Sequence, residues 1–181
     1  MKTEHKFAVA LKNMMSEKSL DEISVLSICK KCKVNRQTFY YHFHDIYDLL
    51  TLIFLDEKVE GIDKTTNFTE MITCIYKYYE DNKNFIEATV NSAGKDLFQE
   101  FVYNLCYQST MRYIGEYEIS KNITNNQKKN VARFYASAFS NCIIYYIGNY
   151  KRKTLDGLLN SFDFIDQLEL SKTLQNIVKK A

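Results

Sequence analysis

An all-α fold is what this sequence predicts, on three observations. The 181 residues contain no proline and only five glycines, too few turn-formers for a hairpin-rich or sandwich fold. Apolar residues recur at three- and four-residue steps, as from Phe7 to Met15 and again from Leu155 to Ile165. Ser24, Asn35 and Asp45 stand where such stretches begin, and their side-chain oxygens can accept the unpaired N–H groups of a helix start.

Taken in order, a first helix is expected over 2–16, with Phe7, Ala8, Leu11, Met14 and Met15 as its apolar stripe. Residues 16–22 are polar and break the pattern, and Ser24 then caps a second helix over 25–32 whose inner face is Val25, Ile28, Cys29 and Cys32. Lys33 and Val34 make a turn, with Val34 directed inward. Asn35 opens a third helix over 36–43, anchored by Phe39 and Phe43. Asp45 caps a fourth helix reaching about residue 60, and Asp48 in its first turn suits the helix dipole. The polar stretch 61–67 divides the chain, giving domains 1–55 and 56–181, with further helices over 68–82, 83–92, 95–119, 126–151 and 155–179. The helix over 126–151 is nearly all apolar and aromatic from 134 to 150, so it is expected to be buried all round, in a domain centre or against another subunit.

Composition narrows the function. An apolar content of 46% suffices for a core, and a net charge of +2 argues against indiscriminate coating of nucleic acid. Yet residues 25–44 carry Lys30, Lys31, Lys33 and Arg36 with two histidines and no carboxylate, a local +4. No apolar run nears the ~20 residues that span a bilayer, and the N-terminus lacks a signal-peptide core, so a cytoplasmic protein without membrane contact is expected. The five cysteines are scattered and read as small buried hydrophobes in a reducing compartment. Cys29 and Cys32 form a C-x-x-C pair, but only His42 and His44 lie near as further ligands; core packing is the favoured reading and zinc the alternative. No cofactor or metal is expected. Gly-rich phosphate loops are absent, and no histidine follows residue 44, so an enzyme is the least supported class.

The third helix carries the functional signal. A helix entering the major groove needs long polar side chains at its N-terminal half, flanking groups for phosphates and an apolar back. Arg36 suits guanine and Gln37 adenine, while Thr38, Tyr40, Tyr41 and His42 offer hydroxyl or ring donors. The bland alternative makes Tyr40, Tyr41 and His42 part of an aromatic core, but Phe39 and Phe43 already fill the one face such a helix buries.

The run from Ser24 to Leu50, centred on VNRQTFYYHFHDIYDLL, resembles the DNA-binding domain of the TetR family of bacterial transcriptional regulators. That resemblance covers about the first 55 residues and implies an all-helical homodimer with an N-terminal three-helix head. It implies that Arg36, Gln37 and Tyr41 meet base edges, while Ser24, Thr38, Tyr40 and His42 hold phosphates; Asn35 belongs to the same edge. Two positions depart from the family pattern. Lys33 stands where glycine is usual, so either lysine accepts a positive φ or the turn is distorted. Ile46 stands where a phosphate-binding lysine is usual, a loss for which Lys30, Lys31 or His44 would compensate.

In the C-terminal part, FYASAFSNCIIYYIGNYKRKTLDGLL loosely resembles the short domains of a subgroup that includes regulators of dihydroxyacetone-kinase operons. The resemblance implies a dimer interface from the last two long helices, with Phe134, Tyr135, Ala138, Phe139, Cys142, Tyr146, Leu155, Leu158, Leu159 and Phe162 as its residues and Ile165 completing the final stripe. An effector pocket would be lined by Tyr76, Tyr79, Phe98, Tyr103, Tyr107 and Tyr113, with Glu80, Glu87 or Arg112 setting its polarity; ordinary packing is the competing reading of each. The expectation is a homodimeric repressor of a near-palindromic duplex DNA operator, controlled by a small molecule or a protein partner. The competing class is a protein-interaction co-regulator whose head has weakened as a DNA reader.

Overall fold

The computed structural model describes residues 3–163 and 170–180, and their regular structure is helical with no strand among them. The helices are α1 (Thr3–Met15), α2 (Val25–Cys32), α3 (Arg36–His42), α4 (Ile46–Asp56), α5 (Phe68–Asp81), α6 (Lys83–Val90), α7 (Lys95–Glu116), α8 (Asn125–Asn149), α9 (Leu155–Asn160) and α10 (Leu170–Lys180). Short 3-10 turns occupy Leu20–Glu22, Ile62–Lys64 and Glu118–Asn122. The chain separates into two compact units, one holding residues up to 58 together with 79–101, the other 59–78 and 102 onward. Among the described residues no helix is long and apolar enough to cross a membrane.

In the first unit, the helix starts follow from local chemistry. Ser24 accepts the Ser27 N–H at 3.2 Å, Asn35 accepts the Thr38 N–H at 2.8 Å, and Asp45 accepts from Tyr47 and Asp48 at 2.7 and 3.0 Å. The α1, α2 and α3 helices close on Phe7, whose ring meets Phe39 and Phe43 edge-on at 5.3 and 6.1 Å. Further along, Phe54 of α4 packs on Phe85, Phe98 and Phe101 with ring centroids 5.4–5.6 Å apart. Lys12 ties α1 into this body: its ammonium pairs with Glu57, donates to Asn82 Oδ1 at 3.1 Å and lies over the Phe85 ring. The α4 helix ends at Asp56, short of the expected residue 60, because Glu57 turns to extended backbone and its carboxylate meets Lys12.

In the second unit, Phe68 is the hub, with Tyr113, Tyr135 and Phe139 around it at 4.6–5.5 Å and Phe162 beyond Phe139 at 5.5 Å. Arg112 and Tyr113 hold the segment before α5: Arg112 donates to the Ile62 and Thr65 carbonyls at 2.7 and 2.9 Å, and the Tyr113 hydroxyl donates to the Asn67 carbonyl at 2.9 Å. Thr124 and Gln127 cap α8 reciprocally.

Two expectations are refined here. Within its own chain α8 is not buried all round, which leaves burial against another subunit as the open alternative. Val131, Tyr135, Phe139, Ile143 and Tyr146 are buried, whereas Phe134, Ser137, Ala138, Asn141, Cys142 and Tyr145 are exposed at helical spacing. Aromatic content had masked a two-faced helix. The expected single helix over 155–179 is interrupted, since α9 ends at Asn160 and Ser161 closes it with N–H bonds to Leu158 and Leu159. Residues 164–169, Ile165 among them, lie outside the described residues. The turn into α9 is tightly built: the Tyr146 hydroxyl donates to the Thr154 carbonyl at 3.1 Å, and a Cβ at Gly157 would collide with that hydroxyl.

Candidate nucleic-acid interface

The α3 helix presents the expected edge. Its back is fixed by Phe39, fully buried, and Phe43 just beyond the helix end is buried too. Arg36 and Gln37 are exposed in its first turn, and Tyr41 is the most open of the large hydrophobic side chains described, 86% exposed, with Tyr40 at 55%. Asn35 serves as the cap. Its Oδ1 takes both the Thr38 N–H and the Thr38 hydroxyl, the latter at 2.9 Å, so Thr38 is locked to the helix start. Ser24 and Lys30 on α2 are exposed, as is His44, whose Nδ1 lies 3.6 Å from Asp45.

His42 stands apart from the open residues. It is half-buried, with its Nδ1 3.3 Å from Glu4 Oε1 and its ring edge-on to Tyr41 at 5.1 Å and Phe7 at 6.5 Å. Sequence reasoning missed Glu4, which lies thirty-eight positions away in sequence and reaches His42 only through the packing of α1 on α3. It also passed over Leu26 and Tyr47, which are partly exposed on α2 and α4. Ile46 is half-buried at the start of α4, so that helix offers Asp45 and Asp48 but no lysine in its first turn. The Asp48 N–H chiefly holds the Asp45 carboxyl below its ordinary value; burial opposes it, and the Tyr47 N–H and His44 add to the lowering.

The turn between α2 and α3 is not distorted. Lys33 adopts the left-handed conformation at φ 57° and ψ 44°, and its N–H caps α2 on the Cys29 and Lys30 carbonyls. It is the one non-glycine with positive φ among the described residues. A side chain there costs roughly 1–2 kcal/mol relative to right-handed backbone. Beside it, burial raises the thiol pKa of both Cys29 and Cys32, which keeps them protonated, and Cys32 Sγ contacts the Lys6 carbonyl at 3.6 Å. No metal-binding cluster of acidic, histidine and cysteine side chains occurs among the described residues. The buried-hydrophobe reading of the cysteines is corrected at Cys142, which is exposed on α8, and softened at Cys32 and Cys74, which are half-buried.

The expected interface residues divide. Tyr135, Phe139, Tyr146, Leu158 and Phe162 are buried in their own chain, and Leu155 and Leu159 are half-buried. Phe134, Ala138 and Cys142 lie on the open face of α8, where Tyr145 joins them; Phe134 is 64% and Tyr145 62% exposed. The expected effector residues fall in both compact units. Tyr79 and Phe98 belong to the first unit and Tyr76, Tyr103, Tyr107 and Tyr113 to the second. Their hydroxyls are engaged in the fold: Tyr79 donates to Glu87 at 2.7 Å, Tyr76 to the Lys153 carbonyl at 3.2 Å, and Tyr113 to Asn67. Tyr103 and Tyr107 are half-buried and stacked on each other at 6.2 Å. A polar cleft of about 360 Å³ in the first unit is lined by Lys12, Asn13, Asn82 and the expected Glu80 among others.

Comparison with known proteins bears on the family and the fold. A TetR-type family model, described as "Transcriptional regulator C-terminal region", matches residues 66–163. The HTH-type dhaKLM operon transcriptional activator DhaS of Lactococcus lactis subsp. lactis (strain IL1403) is 28% identical over 88 residues, 47% of this chain. The chain spans about half the length of that curated relative, 47%, in the match. The solved structure of a dihydroxyacetone kinase operon activator, DhaS, shares 21% identity at a TM-score of 0.58, over 98% of this chain and 96% of the other. Likeness at that identity is a statement about the fold.

Proposed function

Because the chain belongs to the TetR family of transcriptional regulators, we propose that it is a homodimeric, sequence-specific DNA-binding regulator whose α3 enters the major groove of a near-palindromic operator. The observation that carries this reading is the pairing of a fully buried Phe39 with exposed Arg36, Gln37 and Tyr41 on one short helix. Arg36 and Gln37 have the reach and donor pattern for base edges, and Tyr40, Ser24 and Lys30 flank them for phosphates. His42, held by Glu4 and Phe7, positions the end of α3 more than it reaches outward. Dimerisation through the open face of α8 supplies the two-fold that a palindromic site requires.

A mobility-shift titration with duplexes spanning the region upstream of the gene tests the reading. Arg36→Ala and Tyr41→Ala are each expected to weaken binding tenfold or more with unchanged thermal melting, on the basis of roughly 1–3 kcal/mol for a base contact. Unchanged affinity in both would overturn the assignment of α3.

Repression is the sign expected from sequence, but the relative's name as an activator supports activation, and a reporter fused to the bound promoter reads it directly. Control by a small molecule or a protein partner remains part of the proposal, acting through the helices beyond the head as a shift between DNA-competent and incompetent populations. The reading in which the head is a weakened DNA reader drew on Lys33 and on Ile46; the regular α2–α3 turn removes the first support, while the first turn of α4, with Ile46 in place of a lysine, keeps the second.

A further inference from the structure

We propose that Lys33 makes a phosphate contact from the α2–α3 turn, supplying the cation that the first turn of α4 lacks; the inference rests on the DNA-binding reading above. Four observations converge on it. Left-handed backbone crowds a Cβ against the following carbonyl, and lysine has no short polar group of the kind by which asparagine or aspartate offsets that crowding. Packing does not offset it either, because the side chain is exposed and its ammonium makes no ion pair or hydrogen bond among the described residues. Glycine at this position would keep both N–H bonds that cap α2 and remove the strain. Strain that the protein's own contacts do not offset is a mark of a binding position.

Location gives the strain its partner. Lys33 lies two residues before Asn35, the cap of α3, so its amine stands at the entrance of the helix that carries Arg36 and Gln37. Lys30, Lys31 and Arg36 flank it, and residues 25–44 contain no carboxylate, so the turn concentrates like charges that a polyanion relieves. Across the head, α4 opens with Asp45 and Asp48 around a half-buried Ile46. Its first turn therefore repels phosphates, and the cationic edge has moved to the turn before α3.

The test separates charge from strain with three variants, Lys33→Gln, Lys33→Gly and Lys33→Arg. Binding is measured against salt on a mixed-sequence duplex and on the duplex that the wild type retains from its upstream region. Removing one phosphate contact per head should flatten the log–log salt slope by about 0.9 per head and weaken binding by on the order of fivefold per head near physiological salt. Lys33→Gln and Lys33→Gly should show this equally, and Lys33→Arg should keep the wild-type slope. Lys33→Gly alone should raise the melting temperature. An unchanged slope in both neutral variants, with the wild type bound, overturns this inference and leaves the DNA-binding reading standing. A wild type that binds neither duplex overturns both.

Discussion

The α3 and α8 helices are built alike and turned to different ends. Each buries one face: Phe39 on α3 and Tyr135, Phe139 and Ile143 on α8. Their open faces differ in chemistry. On α3 the open residues are Arg36, Gln37, Tyr40 and Tyr41, a cation, an amide and two phenols, all able to hydrogen-bond outward. On α8 they are Phe134 and Tyr145 separated by Ser137, Ala138, Asn141 and Cys142, two rings around mostly small residues. A face with a cation, an amide and two phenols suits phosphate and base edges, which bring acceptors; a face of two rings around mostly small residues, with no cation among them, suits a more apolar surface. Burial tells which residues hold each helix in place, and the chemistry of the uncovered face tells what each is presented to.

The largest expected effects lie on the faces the two helices share. Phe39→Ala removes a ring in edge contact with Phe7 at 5.3 Å, and Phe139→Ala removes one packed on Phe68 at 4.6 Å. Each should cost about 3–5 kcal/mol in urea unfolding, by loss of transfer energy and creation of a cavity. Losses below ~1 kcal/mol at either site would mean that its surroundings collapse freely, and the claim of equivalent buried faces would fail.

The open faces should respond in opposite assays. Ala138→Arg places a long cation among the small residues of α8, and dimers measured by sedimentation should dissociate, as desolvated interface centres are worth roughly 2 kcal/mol or more. Tyr41→Ala should leave sedimentation untouched while losing DNA affinity. A Tyr41→Ala protein that sediments as a monomer, or an Ala138→Arg protein that remains dimeric, would erase the distinction drawn between the two faces.

How far these faces could be read beforehand depended on how local their causes are. Ser24, Asn35 and Asp45 cap helices through bonds spanning two or three residues, so the starts of α2, α3 and α4 were legible from the sequence itself. The exposure of Arg36, Gln37 and Tyr41 was legible for the same reason, since Phe39 alone fills the buried face of a seven-residue helix. The α8 helix resisted reading because its open face is as aromatic as its buried one, and hydropathy cannot tell Phe134 from Phe139. The end of α4 depends on Lys12 meeting Glu57, forty-five residues apart, and the His42–Glu4 pair spans thirty-eight. Such contacts exist only once the chain has packed.

The smallest effect concerns the caps, and it separates the head from α8 by charge. Asp45 caps α4 as a carboxylate held below its ordinary value, chiefly by the Asp48 N–H, whereas Thr124 caps α8 with a hydroxyl that does not titrate. Either residue replaced by alanine should cost about 1 kcal/mol near neutral pH. A depressed folded-state pKa means that the charged cap stabilises the fold above the ordinary carboxylate range and that this contribution fades as pH falls through the depressed value. The difference between wild type and Asp45→Ala, read from urea midpoints, should therefore shrink below pH ~4, where carboxylates begin to protonate. The difference for Thr124→Ala should stay constant over the same range. Asparagine caps nearly as well as aspartate, so Asp45→Asn should keep most of the stability and remove the pH dependence. If Asp45→Ala instead differed from wild type by the same amount near neutral pH and below pH ~4, the carboxylate's charge would contribute nothing to holding α4, and the cap would act there as the neutral hydroxyl does on α8.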